Sequence, residues 1–211
     1  MRMLAKATLA ALAMASVNAP AHAQGPGWWN VPEDAVKATL KRYGLGGADT
    51  MRAFALCAVK RNPKFVEALL DTRQESLEER AASRRLTQAN FDCMPSGDFT
   101  LGGMSVRGSL AEAMFWTKYS GANVEALAVR SDEAGEKERF ADCAADGSLD
   151  EVRALIATAP KSPEEGAALS ALMPRLRECI AKTSFSSMDN ASARSLVAEA
   201  LYRAAKRSTA S

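Results

Sequence analysis

The sequence predicts an all-α fold: a tandem pair of disulfide-stapled helical units, about four helices each, preceded by an N-terminal helix. Three observations predict it. The chain matches itself when shifted by 86 residues, apolar residues recur at helical three-and-four spacing, and no segment alternates convincingly with period two.

The first element, residues 1–23, has the layout of a secretory signal. Arg2 and Lys6 give a positive start, residues 7–17 are apolar, and Ala21-His22-Ala23 supplies the small-x-small pattern of a cleavage site. A stretch of eleven residues is too short to span a bilayer, which needs about 20. Cleavage near Ala23 predicts a periplasmic or secreted product of 188 residues without a transmembrane segment. Of 27 basic residues, Arg2 and Lys6 leave with the signal, so 25 remain against 25 acidic ones. A net charge of zero removes the usual electrostatic basis for nucleic-acid binding. Arg80, Arg84 and Arg85 cluster on one helix, where a solvated face is expected.

Residues 24–47 form a lead and a helix. Asn30 can cap it, Pro32 and Glu33 suit its first turn, Val36, Leu40 and Tyr43 form its apolar stripe, and Gly44 ends it.

Residues 48–119 and 136–211 are the two units, joined by a linker over 120–135. Between 54–94 and 140–180, 15 of 41 positions are identical. Cys57 falls on Cys143 and Cys93 on Cys179. One inserted residue later, Arg107 matches Arg194 and Ala111-Glu112-Ala113 matches Ala198-Glu199-Ala200. A unit that once folded alone would close its own bridge, which selects Cys57–Cys93 and Cys143–Cys179 from the three pairings that four cysteines allow. A four-thiolate zinc site would need closely spaced ligand pairs and a reducing compartment.

Each unit reads as four helices. The first spans about 49–61 or 136–146, with Phe54, Cys57 and Ala58, or Phe140, Cys143 and Ala144, on one face. The turn Asn62-Pro63, or Gly147-Ser148, leads into a short second helix that buries Val66, Leu69 and Leu70, or Val152, Leu155 and Ile156. Ser76 with Glu79, and Ser162 with Glu165, read as capping boxes that open the third helix. Pro174 is expected to kink or break its second copy. Loops over 95–103 and 183–190 lead to the last helix, about 105–119 or 191–206. Its expected buried stripe is Leu110, Met114 and Thr117, or Val197, Leu201 and Ala204.

The paired Phe-Ala-x-Cys motif (Phe54 to Cys57, Phe140 to Cys143) and the Ala-Glu-Ala motif at 111–113 and 198–200 resemble those of exported tandem-repeat proteins of alphaproteobacteria. The resemblance runs through most of the mature chain and carries no activity or site with it. Residues 145–156 also resemble the helix pair of an ankyrin repeat. The match is local, because the Thr-Pro-Leu-His start is absent and the period is 86 rather than about 33.

The chemistry narrows by exclusion. The only histidine, His22, leaves with the signal, which closes histidine acid/base catalysis, Ser-His-Asp triads and histidine zinc sites. No phosphate-binding glycine loop, Ser-x-x-Lys dyad or calcium loop is present, and the cysteines are committed to bridges. No catalytic residue, cofactor or metal is therefore assigned. Glu112 and Glu199 remain, charged residues in otherwise apolar helices, with Arg107 and Arg194 five positions earlier. Five residues on a helix is about 140°, so arginine and glutamate of one helix do not face each other. Each is expected to lock the unit by pairing with a helix end or a neighbouring helix. Trp28-Trp29 is the other candidate, either an exposed binding anchor or a seal over the first helix.

These readings point to a non-enzymatic periplasmic protein that binds a protein or peptide partner in a groove between its units. The alternative is a histidine-free envelope enzyme using Glu112 or Glu199 as acid or base.

Overall fold

The computed structural model describes residues 47–94, 104–124, 135–184 and 188–209. The signal segment, Trp28 and Trp29, the N-terminal helix and most of the linker lie outside the described residues. Within them the chain is all-helical, with eight α-helices and no strand. The first half comprises α1 (Gly47–Arg61), α2 (Pro63–Leu70), α3 (Leu77–Ala89), a 3-10 turn (Phe91–Cys93) and α4 (Met104–Met114). A π-type turn (Phe115–Tyr119) prolongs α4. The second half comprises α5 (Glu136–Ala145), α6 (Leu149–Ile156), α7 (Pro163–Ala181) and α8 (Asn190–Ser208).

Local chemistry starts and stops these helices. Pro63 fixes φ at the first position of α2, and Ser76 and Ser162 accept from the amides of Glu79 and Glu165 at the starts of α3 and α7. The two glutamates reach one residue beyond the expected capping box. Glu79 accepts from the Glu75 amide and Glu165 from the Lys161 amide. Both donors sit in the left-handed region, at φ 65° and 64°, which turns their N–H groups toward the carboxylates.

The helices α2 and α6 are two turns long, too short to stand alone. Their stability comes from burial of Val66, Leu69 and Leu70, and of Val152, Leu155 and Ile156, side chains worth roughly 1.5–3 kcal/mol each.

Two disulfides close the halves separately. Cys57–Cys93 ties α1 to the 3-10 turn, and Cys143–Cys179 ties α5 to α7. The helices they reach differ in length. In the first half the buried Asn90 holds the Leu86 carbonyl and accepts from Asn62, ending α3 at Ala89. The matching place in α7 is the apolar Leu176, and α7 continues to Ala181. Of the kink or break expected at Pro174, the break does not occur. A proline removes a single ladder bond, and Leu172 and Leu176 on either side are buried in the core and hold the helix together.

The halves share one core. The packing of α4 on α8 is the most extensive between any two described helices. Gly108 lets them pack tightly at Ser195: a Cβ on Gly108 would lie 2.4 Å from the Ser195 Cβ. The expected apolar stripe on α8 proves too narrow. Residues 193–205 are buried on every side, because α4, α5 and α6 all pack against them. Thr117 departs from the expected stripe of α4. The π-type turn rotates it outward, and its hydroxyl donates to the Ala113 carbonyl.

Candidate functional site

Arg107 and Arg194 enter the shared core from α4 and α8, each only a few per cent exposed. Their partners come from opposite halves. Arg107 Nη2 lies 2.9 Å from Glu199 Oε2, and Arg107 Nε lies 3.1 Å from both Glu199 oxygens. Arg194 Nε and Nη2 meet Glu112 Oε1 and Oε2 at 2.7 and 2.8 Å. Each helix therefore gives one arginine and takes one arginine.

The remaining guanidinium hydrogens are used in matching ways. Arg107 donates to the Leu69, Leu70 and Thr72 carbonyls, the Thr72 hydroxyl and Glu79. Arg194 donates to the Ile156 and Thr158 carbonyls, the Thr158 hydroxyl and Glu165. The carbonyls belong to the C-terminal ends of α2 and α6, where unpaired acceptors and the helix dipole both favour a cation. Burial pulls both guanidinium groups down, but the carboxylates around them outweigh it and hold them charged. Burial pushes the Glu112 carboxyl above the ordinary carboxylate range, although Arg194 and Arg52 pull it back.

Around these pairs the halves diverge. Beside Glu199, the Gln74 carboxamide donates to Oε1 at 3.1 Å, and the Gln74 amide donates to the buried Glu138 at 3.2 Å. Lys137 pairs with Glu75 across the mouth. That end is filled. Beside Glu112 the matching residues are Pro160, Arg52, Met51 and Lys161, and they line an open cleft of about 900 Å³. Its walls come from both halves: the start of α1, Ser105 and Ser109 of α4, the first turn of α7, and Ser195 of α8.

Of the sequence candidates, Glu112 and Glu199 both lie in the shared core, but Glu112 alone lines the cleft. Arg80, Arg84 and Arg85 lie exposed on α3. Sequence reasoning missed Gln74, Arg52, Glu138 and Pro160, because it looked for identities at the 86-residue offset. The signal was in the differences, Gln74 against Pro160 and Arg52 against Glu138. A further pair, Arg203 with Asp142 at 2.7 Å, also has no counterpart in the first half, where Trp116 and Leu56 stand.

Among the described residues no cluster of histidine, cysteine or acidic side chains is arranged to hold a metal. No described helix is long and apolar enough to cross a membrane. The disulfides are compatible with an extracellular or periplasmic location. No family model, curated protein or solved structure matches this chain.

Proposed function

We propose that this chain is an exported, non-enzymatic helical-repeat protein that holds a protein or peptide partner in the cleft between its halves. The cleft carries the reading. Its volume of about 900 Å³ lies at the upper end of what small-molecule sites occupy, enough for a short stretch of polypeptide, and both halves line it. The signal-like residues 1–23 and the two disulfides support export to the periplasm or beyond. The matched ion pairs and bridges support descent from a duplicated unit, related to the exported tandem-repeat proteins that its motifs resemble.

One observation favours the enzymatic alternative: Glu112 lines the cleft with its carboxyl raised by burial. Against it, both oxygens of Glu112 are held by Arg194, and an acid or base must be free to exchange its proton with substrate.

A photo-crosslinking residue in place of Ser109 tests the binding reading, with Arg84 on the exposed face of α3 as control. The cleft position should capture a discrete partner that the control does not. Equal labelling from both positions, or none from Ser109, would overturn the reading.

A further inference from the structure

The filled end of the molecule shows what the open end lacks. Residues related by the 86- or 87-residue offset occupy matching places around the α4–α8 crossing: Gln74 and Pro160, Glu75 and Lys161, Lys137 and Met51, Glu138 and Arg52, Glu199 and Glu112. At the filled end, Glu199 Oε1 accepts two bonds, one from Arg107 and one from the Gln74 carboxamide. At the open end, each Glu112 oxygen accepts one bond, from Arg194. A carboxylate oxygen accepts two, so the acceptor site that Gln74 fills on Glu199 is unfilled on Glu112. Proline at 160 has neither a side-chain donor nor a backbone N–H to supply it.

The second difference sets the rest of the ligand. Glu138 accepts the backbone N–H of Gln74, whereas Arg52 at the matching place is a donor only. A group that bonds to Arg52 is an acceptor, such as a carbonyl or carboxylate. Across the mouth, the Lys137–Glu75 pair that closes the filled end is matched by Met51 and Lys161, which cannot form an ion pair.

We infer that the cleft recognises a polypeptide segment carrying a glutamine or asparagine side chain, its carboxamide donating to Glu112 and an adjacent carbonyl or carboxylate accepting from Arg52. The ligand thus completes at the open end what Gln74 completes internally at the other. This rests on the peptide-binding reading and deepens it by naming the side chain recognised.

The probe is N-acetyl-Ala-Gln with a free C-terminal carboxylate, titrated into the mature full-length protein and followed by NMR. N-acetyl-Ala-Glu serves as the matched control, since it presents a carboxylate to Glu112 in place of an amide. The glutamine peptide should bind on the order of tenfold or more tighter, because a site built to receive an N–H rejects an analogue without it. Pro160→Gln should copy the filled end, leave the melting temperature unchanged or raised, and abolish peptide binding. Equal affinity for the two peptides, binding of neither, or undiminished binding by a folded Pro160→Gln protein would each overturn the inference. A partner captured at Ser109 together with equal affinity for the two peptides would sink the carboxamide specificity and leave the binding reading standing.

Discussion

Arg107 binds Glu199, a residue 92 positions away in the other half, and not Glu112 on its own helix. Arg194 and Glu112 form the mirror arrangement. Each half buries a glutamate whose two-oxygen arginine partner comes from the other half, so separating the halves would break two buried ion pairs, although Glu79 and Glu165 still face the arginines of their own halves. That makes the ion pairs a device for holding the halves in one register.

A double-mutant cycle tests this relationship. Arg107→Met or Glu199→Leu alone should cost about 3–5 kcal/mol, because each leaves a buried partner uncompensated. Arg107→Met combined with Glu199→Leu should recover a large part of that loss. Coupling between Arg107 and Glu112 should stay within about 0.5 kcal/mol, the additivity of sites that share no partner. Denaturant unfolding gives these values, and comparable coupling for both pairs would contradict the exchanged arrangement.

Two glycines should respond in opposite directions. Gly108→Ala places its Cβ 2.5 Å from the Ser195 Cα, a backbone atom that cannot turn aside. The helices must move apart, at a cost of about 3 kcal/mol. Gly166 sits on the exposed face of α7 with no atom near its added Cβ, and Gly166→Ala should stabilise by about 0.5–1 kcal/mol. Melting temperatures of the two variants decide it.

Tyr202 is fully buried and its hydroxyl has no hydrogen-bond partner. The matching residue of the first half is Phe115, equally buried, so a phenyl ring fits such a place. Tyr202→Phe should stabilise by about 1 kcal/mol, the relief of an unsatisfied buried polar group. Burial first, then the negative charge of Asp71, raises the phenol above its ordinary value near 10. The folded state therefore keeps that proton more tightly than the unfolded chain. The resulting stability is full below about pH 10 and is lost as pH rises further. Replacing Tyr202 should move alkaline unfolding, read from ellipticity against pH, to higher pH.

The cysteine pairing has a direct readout. Non-reducing peptide maps should join Cys57 to Cys93 and Cys143 to Cys179, with no cross-half bridge. Removing one bridge by a double Cys→Ala change should cost roughly 4 kcal/mol, from the freedom regained by a loop of this length in the unfolded chain.

Much of the fold was legible without coordinates. The helices beginning at Ser76 and Ser162 follow from capping side chains a few residues away, and α2 and α6 from their apolar spacing. Both disulfides follow from cysteines that align under the same 86-residue shift. Those signals are local or covalent, and so they are written into the chain order itself. Of the two outcomes expected at Pro174, a kink or a break, the break does not occur, because breaking a helix depends on whether its flanks are buried, a tertiary fact. Thr117 was misread because a π-type turn changes the angular period that places side chains on a face.

The sequence by itself determined that an arginine and a glutamate recur at matching places in the two last helices. Only the tertiary structure decided which arginine meets which glutamate, because partner choice depends on how α4 crosses α8 at Gly108 and Ser195. It alone also showed that one end of that crossing is filled by Gln74 while the other stays open beside Pro160. A single residue difference becomes a cleft only where the surrounding chain has already enclosed the space.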